Sequence, residues 1–262
     1  MNEMHRVWKN PGFWLSVILS IFSMLYPHMD THVFWETPLA YFASADFLYF
    51  MLMPLRFGLG KLLLPFMAVF PAATFLAEDQ KNRYHLMLYY RYGPWEYMRQ
   101  RMKLAVGAAI LATEAGVLIY TLFVAIVCPW HDNIVMSWRN LQGYLFNNWI
   151  NCYEGIPFIG LQLVCLGFSS AIWGLVGFSI SCLTKNNGIA IGGTFLCHYT
   201  ISWLCSHKSW LISWSPMVLQ SPSIYYNETI LSIILRLIIW LVMTILLSIY
   251  CASRFIARLR RI

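Results

Sequence analysis

Residues 75–107, FLAEDQKNRYHLMLYYRYGPWEYMRQRMKLAVG, decide how the rest of the chain is read. An apolar run ends at Ala77, and the acids Glu78 and Asp79 follow. Six of the 18 Lys and Arg residues then gather before the next apolar run begins at Leu104. The chain is 59% hydrophobic and 11% charged, against about 25% charged residues in ordinary globular proteins. Its 12 Trp and 15 Tyr suit a membrane domain with two interfacial aromatic belts. A polar island in such a chain is a loop between spans, and its meaning depends on the side of the membrane it faces.

A helix crossing a hydrocarbon core of about 30 Å needs roughly 20 apolar residues. Leu104–Val127, Ile159–Leu183 and Ile230–Ala252 meet this easily. Gly12–Tyr26, Leu62–Ala77 and Ile189–Leu204 are shorter and are lengthened by weakly polar or aromatic flanks. The expectation is an all-α integral membrane protein, one transmembrane domain over residues 1–262. Its six spans are placed at about 12–26, 57–77, 104–127, 159–183, 189–204 and 230–252. FLYFMLMPLRFGLGK, residues 47–61, is apolar but interrupted by Pro54, Arg56 and Lys61, and it lies at the interface or extends the second span outward. The start, MNEMHRVWKNPGF, lacks a small-residue cleavage site, so the first run reads as a retained span.

Six spans with an inward N-terminus put 13 of the 18 basic residues inside and six of the eleven acids outside. That is the positive-inside distribution, so both termini and the 78–103 loop are expected to be cytoplasmic, in the cell membrane. The net charge of +7 therefore reads as orientation, not as nucleic-acid binding, because the cations lie between apolar runs. The tail SRFIARLRR places Arg254, Arg258 and Arg261 on one helical face, suited to anionic headgroups of the lipid bilayer.

Orientation needs only two or three lysines, and this loop has more structure than that. No Gly or Pro occurs from Glu78 to Tyr92, and Gly93-Pro94 then stops one helix and starts another. Tyr84, Leu88 and Arg91 recur at helical spacing, with Leu86, Met87 and Tyr90 on a neighbouring face. Glu78 and Asp79 suit the positive end of that helix. A short cytoplasmic helix with exposed aromatic groups needs a partner.

Within the apolar runs, Glu114 and Arg236 are the notable charges, each about 12–16 Å deep from opposite sides. Two readings stand: a buried ion pair, or charges along a substrate pathway. His28 and His32 have i,i+4 spacing but no third ligand, and His198 reads as a hydrogen-bonded packing residue. Seven cysteines contain no CxxC. Cys128, Cys152 and Cys205, near run ends, could pair on an oxidising side. GxxxxGK[ST], HExxH and GxSxG are all missing, so no nucleotide loop, zinc-protease or hydrolase signature is present.

The stretch from LLLPFMAVFPAATFLAEDQK onward, through Pro65, Pro71, Ala77, Glu78, Asp79, Lys81 and Tyr84, resembles the membrane-spanning subunit of type-2 ATP-binding-cassette (ABC) exporters. It is most similar to their small bacterial permeases. The tight turn SCLTKNNGIAI and the six-span layout are similar as well, while Asn82-Arg83 stands where such proteins often carry a small residue, commonly Gly. The resemblance implies a permease without catalysis or cofactor of its own, with ATP and Mg on a separate cytoplasmic ABC ATPase. It also implies a second permease copy, identical or related. The helix after span two, through Glu78, Asp79, Lys81, Tyr84, Leu88 and Arg91, would be the ATPase-coupling element. Other readings are a membrane-embedded peptidase or lipid transferase, which needs convergent catalytic groups, and an anchor or sensor subunit.

Overall fold

The computed structural model describes residues 3–29, 35–43, 47, 49–51, 54, 59–71, 73, 75–83, 86, 91–128, 156–184, 186–220 and 230–259. Every regular element among them is helical: α1 Glu3–Lys9, α2 Pro11–Met29, α3 Pro38–Ala43, α4 Gly60–Val69, α5 Phe75–Lys81 and α6 Pro94–Val127. The second half adds α7 Ile156–Leu183, α8 Asn187–Ser206, α9 Ser209–Ile212, α10 Pro216–Leu219 and α11 Ile230–Leu259. Five of these, α2, α6, α7, α8 and α11, are long and apolar enough to cross a membrane. The chain is a multi-pass helical protein by that measure.

Local chemistry sets the helix ends. α6 starts at Pro94, whose missing N–H costs nothing in the first turn, and it follows Gly93 at φ 82 and ψ 158. That backbone region is essentially open only to glycine. α8 is capped by Asn186, whose side chain accepts from the Gly188 N–H at 2.8 Å. α9 and α10 occupy part of the 205–229 segment that reads as a loop in the sequence.

The packing is inverted relative to a water-soluble bundle. Ile126, Leu231, Leu196 and Leu246 are 83%, 76%, 63% and 61% exposed, while Ser16, Ser20, Thr113, Ser170, Ser179 and Ser248 are buried. Lipid is as apolar as leucine, so large aliphatic groups gain nothing by turning inward, and small residues let helices approach. Ser20 Oγ donates to Thr113 O at 2.9 Å, joining α2 to α6. Thr113 and Ser170 hydroxyls meet at 2.8 Å, and Ser179 and Ser248 at 2.9 Å, joining α6 to α7 and α7 to α11. Gly174 belongs to the same seams, since a Cβ there would stand 3.1 Å from Ala105 O.

The continuous second span expected over 57–77 is not what the structure shows. α4 has ten residues and ends at Val69, and α5 begins only at Phe75. The break falls at Pro71, which has no N–H to donate and whose ring clashes with the carbonyl four residues back. Asn10 satisfies the backbone there, donating its side-chain amide to Phe70 O at 3.3 Å and Pro71 O at 2.8 Å. α4 and α5 together run antiparallel to α2. Gly60 lies against Ser23 near one end, and Asp79 reaches Arg6 at the other.

The helix expected from Glu78 to Tyr92 is not continuous, and residues 84, 85 and 87–90 of it lie outside the described residues. α5 begins before the acids, at Phe75, and stops at Lys81. Arg83 follows at φ 56, the left-handed region that ends helices. Tyr84 and Leu88 lie outside the described residues.

Candidate functional site

Among the described residues, two places stand out, a buried charge cluster and an apolar groove that holds a carboxylate. The first is a buried charge cluster where α1, α5, α6, α7 and α8 converge. Asp79 is 1% exposed and Arg101 4%. Arg6 Nη1 donates to Asp79 Oδ1 at 2.8 Å, Arg101 Nη2 stands 2.8 Å from Oδ2, and Tyr97 Oη donates to Oδ2 at 2.9 Å. The Arg6 guanidinium and the Tyr97 phenol make charge-assisted hydrogen bonds to this carboxylate, roughly twice as strong as neutral ones, and Arg101 pairs with it by charge.

The neighbours of Asp79 extend the junction. Glu78 Oε2 lies 3.5 Å from Arg6 Nη2, and its other oxygen accepts from Asn187 at the start of α8 at 3.2 Å. Gln80 donates to Ser181 O at 2.8 Å, and Ser181 Oγ donates to Ala73 O at 2.8 Å, fixing α5 to the end of α7. Cys251, Phe255 and Ile256 of α11 pack beside it with Leu76, Tyr97 and Met98. Asp79 therefore does not cap an exposed helix, as its place after an apolar run suggests. It is a buried counter-charge, because two arginines distant in sequence fold onto it. Lys81 and Arg91 are exposed on the same end.

The second place is a groove of about 700 Å³ between α6, α7 and α11. Its walls include Met102, Ile110, Val164, Phe168, Leu241 and Ile245, with Lys103 at one end and Glu114 further along. Lys103, Gly107, Ile110 and Glu114 follow i, i+4, i+7, i+11 spacing, so one face of α6 carries them all. Gly107 adds volume, since a Cβ there would touch nothing within 4 Å. Gly167 gives the carboxylate room, since a Cβ there would stand 3.1 Å from Glu114 Oε1.

Glu114 and Arg236 are not brought together. Arg236 Nη1 donates to Ser213 O at 3.3 Å, and its guanidinium lies 5.8 Å from the Trp214 ring centre. Matched depth fixes height along two helices but not the direction each side chain takes. No ion pair or hydrogen bond to Glu114 occurs among the described residues.

His28 and His198 serve packing. His28 is buried with Nδ1 3.2 Å from Tyr41 Oη and Nε2 3.0 Å from Tyr120 Oη, and Tyr120 Oη donates to Phe50 O at 2.9 Å. That chain of donors assigns the His28 proton to Nε2. His32 lies outside the described residues. His198 meets Gln220 at 3.1 Å and stands edge-on to Trp173. Cys128 and Cys205 are free thiols, and Cys152 lies outside the described residues.

Sequence reading singled out Asp79 and Glu114 but missed Arg6, Tyr97, Arg101, Lys103 and Gly107. The heptad-like spacing of Lys103, Gly107, Ile110 and Glu114 was a signal available in the sequence, whereas nothing local marks Arg6 as a partner of Asp79. No protein-family model matches this chain, and neither a curated protein nor a solved structure matches it.

Proposed function

We propose that this chain is the membrane-spanning subunit of an ATP-driven exporter, worked by a separate cytoplasmic ABC ATPase that carries ATP and Mg. In this reading the broken α4–α5 unit is a sixth crossing. Both termini and the basic 82–93 segment then face the cytoplasm, and two permease copies, identical or related, share the cell membrane.

The observation that carries the reading is the fixation of α5. This helix leads directly into the basic segment, and Glu78, Asp79 and Gln80 tie it to α1, α6, α7 and α8. A force applied to the segment is thereby passed to several spans at once, as a motor held on a separate subunit requires. The exposed Lys81, Arg91 and Tyr92 beside it suit a protein partner, with Tyr84 and Leu88 as its apolar anchors. An enzyme needs two convergent groups at one place. Lys103 and Glu114, the ionisable groups of the groove, stand about 16 Å apart along their helix.

The test uses the purified full chain. Wild type should carry with it a protein that hydrolyses ATP, and Leu88→Asp should lose it while still inserting and folding, because an anchor buried in a partner's pocket contributes about 2 kcal/mol or more. A Cys at Asn82 should react with an impermeant thiol reagent only after cells are opened. If Leu88→Asp keeps full ATPase binding and full transport, the basic segment is an orientation signal and nothing more.

A further inference from the structure

We propose that the groove between α6, α7 and α11 binds a lipophilic cation, one positive centre within an apolar body, with Glu114 as its counter-charge. As a binding site this stands on the groove alone. Only the further step, that the cation is the exported cargo, rests on the transport reading above.

Size comes first. A volume of about 700 Å³ falls within the roughly 300–1,000 Å³ of small-molecule sites. It exists because two positions that could fill it are glycines. Gly107 leaves open space in the wall, and Gly167 yields the room in which Glu114 sits.

Charge decides the class. A carboxylate at this depth is expensive among apolar walls and is normally relieved by a partner. Arg236 is directed to Ser213 and Trp214, and Lys103 lies at the far end of the groove. A cationic centre seated beside Glu114, its apolar substituents against Ile110 and Phe168, would supply the missing charge. A bare metal ion would not, because hard cations want six or more oxygen ligands and these walls offer one carboxylate. An anionic lipid would be held by its headgroup at Lys103 and would lay its acyl chain against Glu114, leaving that carboxylate uncompensated.

Access fits the same class. Val164 on the groove wall is 49% exposed and lies within the apolar helix Ile156–Leu183, so the groove opens sideways toward lipid. A molecule that partitions into the bilayer reaches it without crossing water.

The experiment needs no ATPase, so its failure leaves the transport reading to its own test. Tetraphenylphosphonium and tetraphenylborate have nearly the same shape and opposite charge. Their equilibrium binding to the full chain in lipid nanodiscs would be measured for wild type, Glu114→Gln, Gly107→Phe and Gly107→Ala. Wild type should bind the phosphonium saturably and at least tenfold more tightly than the borate. Glu114→Gln should weaken phosphonium binding at least tenfold, Gly107→Phe should abolish it, and Gly107→Ala should retain it. Equal affinity for the two probes overturns the charge assignment. A Gly107→Phe protein that binds as wild type does overturns the location. The comparison of the two probes on wild type decides the charge even if Glu114→Gln fails to fold.

Discussion

Replacing Asp79 by Asn tests whether the charge cluster is a structural junction. The side chain keeps its shape and loses its charge. In the structure it accepts from Arg6 at 2.8 Å and Tyr97 at 2.9 Å and pairs by charge with Arg101 at 2.8 Å. The amide offers one acceptor oxygen where the carboxylate offered two, and its NH2 group would face a donor. Arg101 carries most of the consequence, because at 4% exposure it cannot turn to water. Removing one partner of a buried ion pair costs about 3–5 kcal/mol. Arg6 has 23% of its side chain exposed, so Arg6→Met should cost much less, about 1 kcal/mol.

The assay is SDS-induced unfolding of the detergent-solubilised chain, followed by circular dichroism, with Asp79→Asn, Arg101→Met, Arg6→Met and the Asp79→Asn/Arg101→Met double variant. The double variant should be more stable than the sum of its singles by roughly 1–3 kcal/mol, because residues in contact couple. Two results would refute the reasoning. One is an Asp79→Asn protein within about 1 kcal/mol of wild type. The other is an Arg6→Met cost equal to that of Arg101→Met, which would mean that burial does not rank the two arginines.

Three other outcomes are expected in the same unfolding assay. Gly93→Ala should destabilise the start of α6 by about 1–3 kcal/mol, since φ 82 with ψ 158 suits glycine alone; an unchanged midpoint would show that the turn adopts another backbone. Arg83→Gly should stabilise by about 1 kcal/mol, because it removes a side chain from the left-handed region at φ 56; a loss of stability would show that the exposed guanidinium contributes more than the strain. Gly116→Leu should cost about 1–3 kcal/mol by forcing α2 from α6, since even a Cβ there would stand 2.7 Å from Val17 O. Gly107→Leu, pointing into open space, should cost far less, and equal costs would refute the packing argument.

The long spans were legible because lipid demands a length of apolar helix, and α2, α6, α7, α8 and α11 cover the runs that meet it. Gly93-Pro94 was legible for a local reason, since both residues dictate their own backbone. The second span was not. Pro65 lies inside α4 and is tolerated, whereas the helix stops before Pro71. The two prolines look alike in the sequence. Their difference lies in Asn10, which takes the carbonyls of residues 70 and 71 from across the bundle. Asp79 was misread for the same reason: Arg6 lies 73 residues away, so no local rule marks the acid as buried. Arg83 shows the opposite case, a sequence oddity with a structural answer. Its φ of 56 lies in the left-handed region that glycine adopts most easily.

The charge cluster and the groove are not independent, because α6 joins them. Arg101 points into the cluster around Asp79, while Met102 and Lys103, the next two residues, line one end of the groove. Successive helical residues are about 100° apart, so one short segment of α6 presents one face to α5 and another to the groove. Any motion of α5 that keeps its bond to Arg101 must carry that segment with it. The end of α7, held to α5 at Ser181, is carried along too, so this end of the groove shifts with α5. The interior seams here are single hydroxyl contacts and glycine approaches, and the cluster is the place where several charges hold several helices. The junction at Asp79 is therefore stiffer than the seams between the long helices.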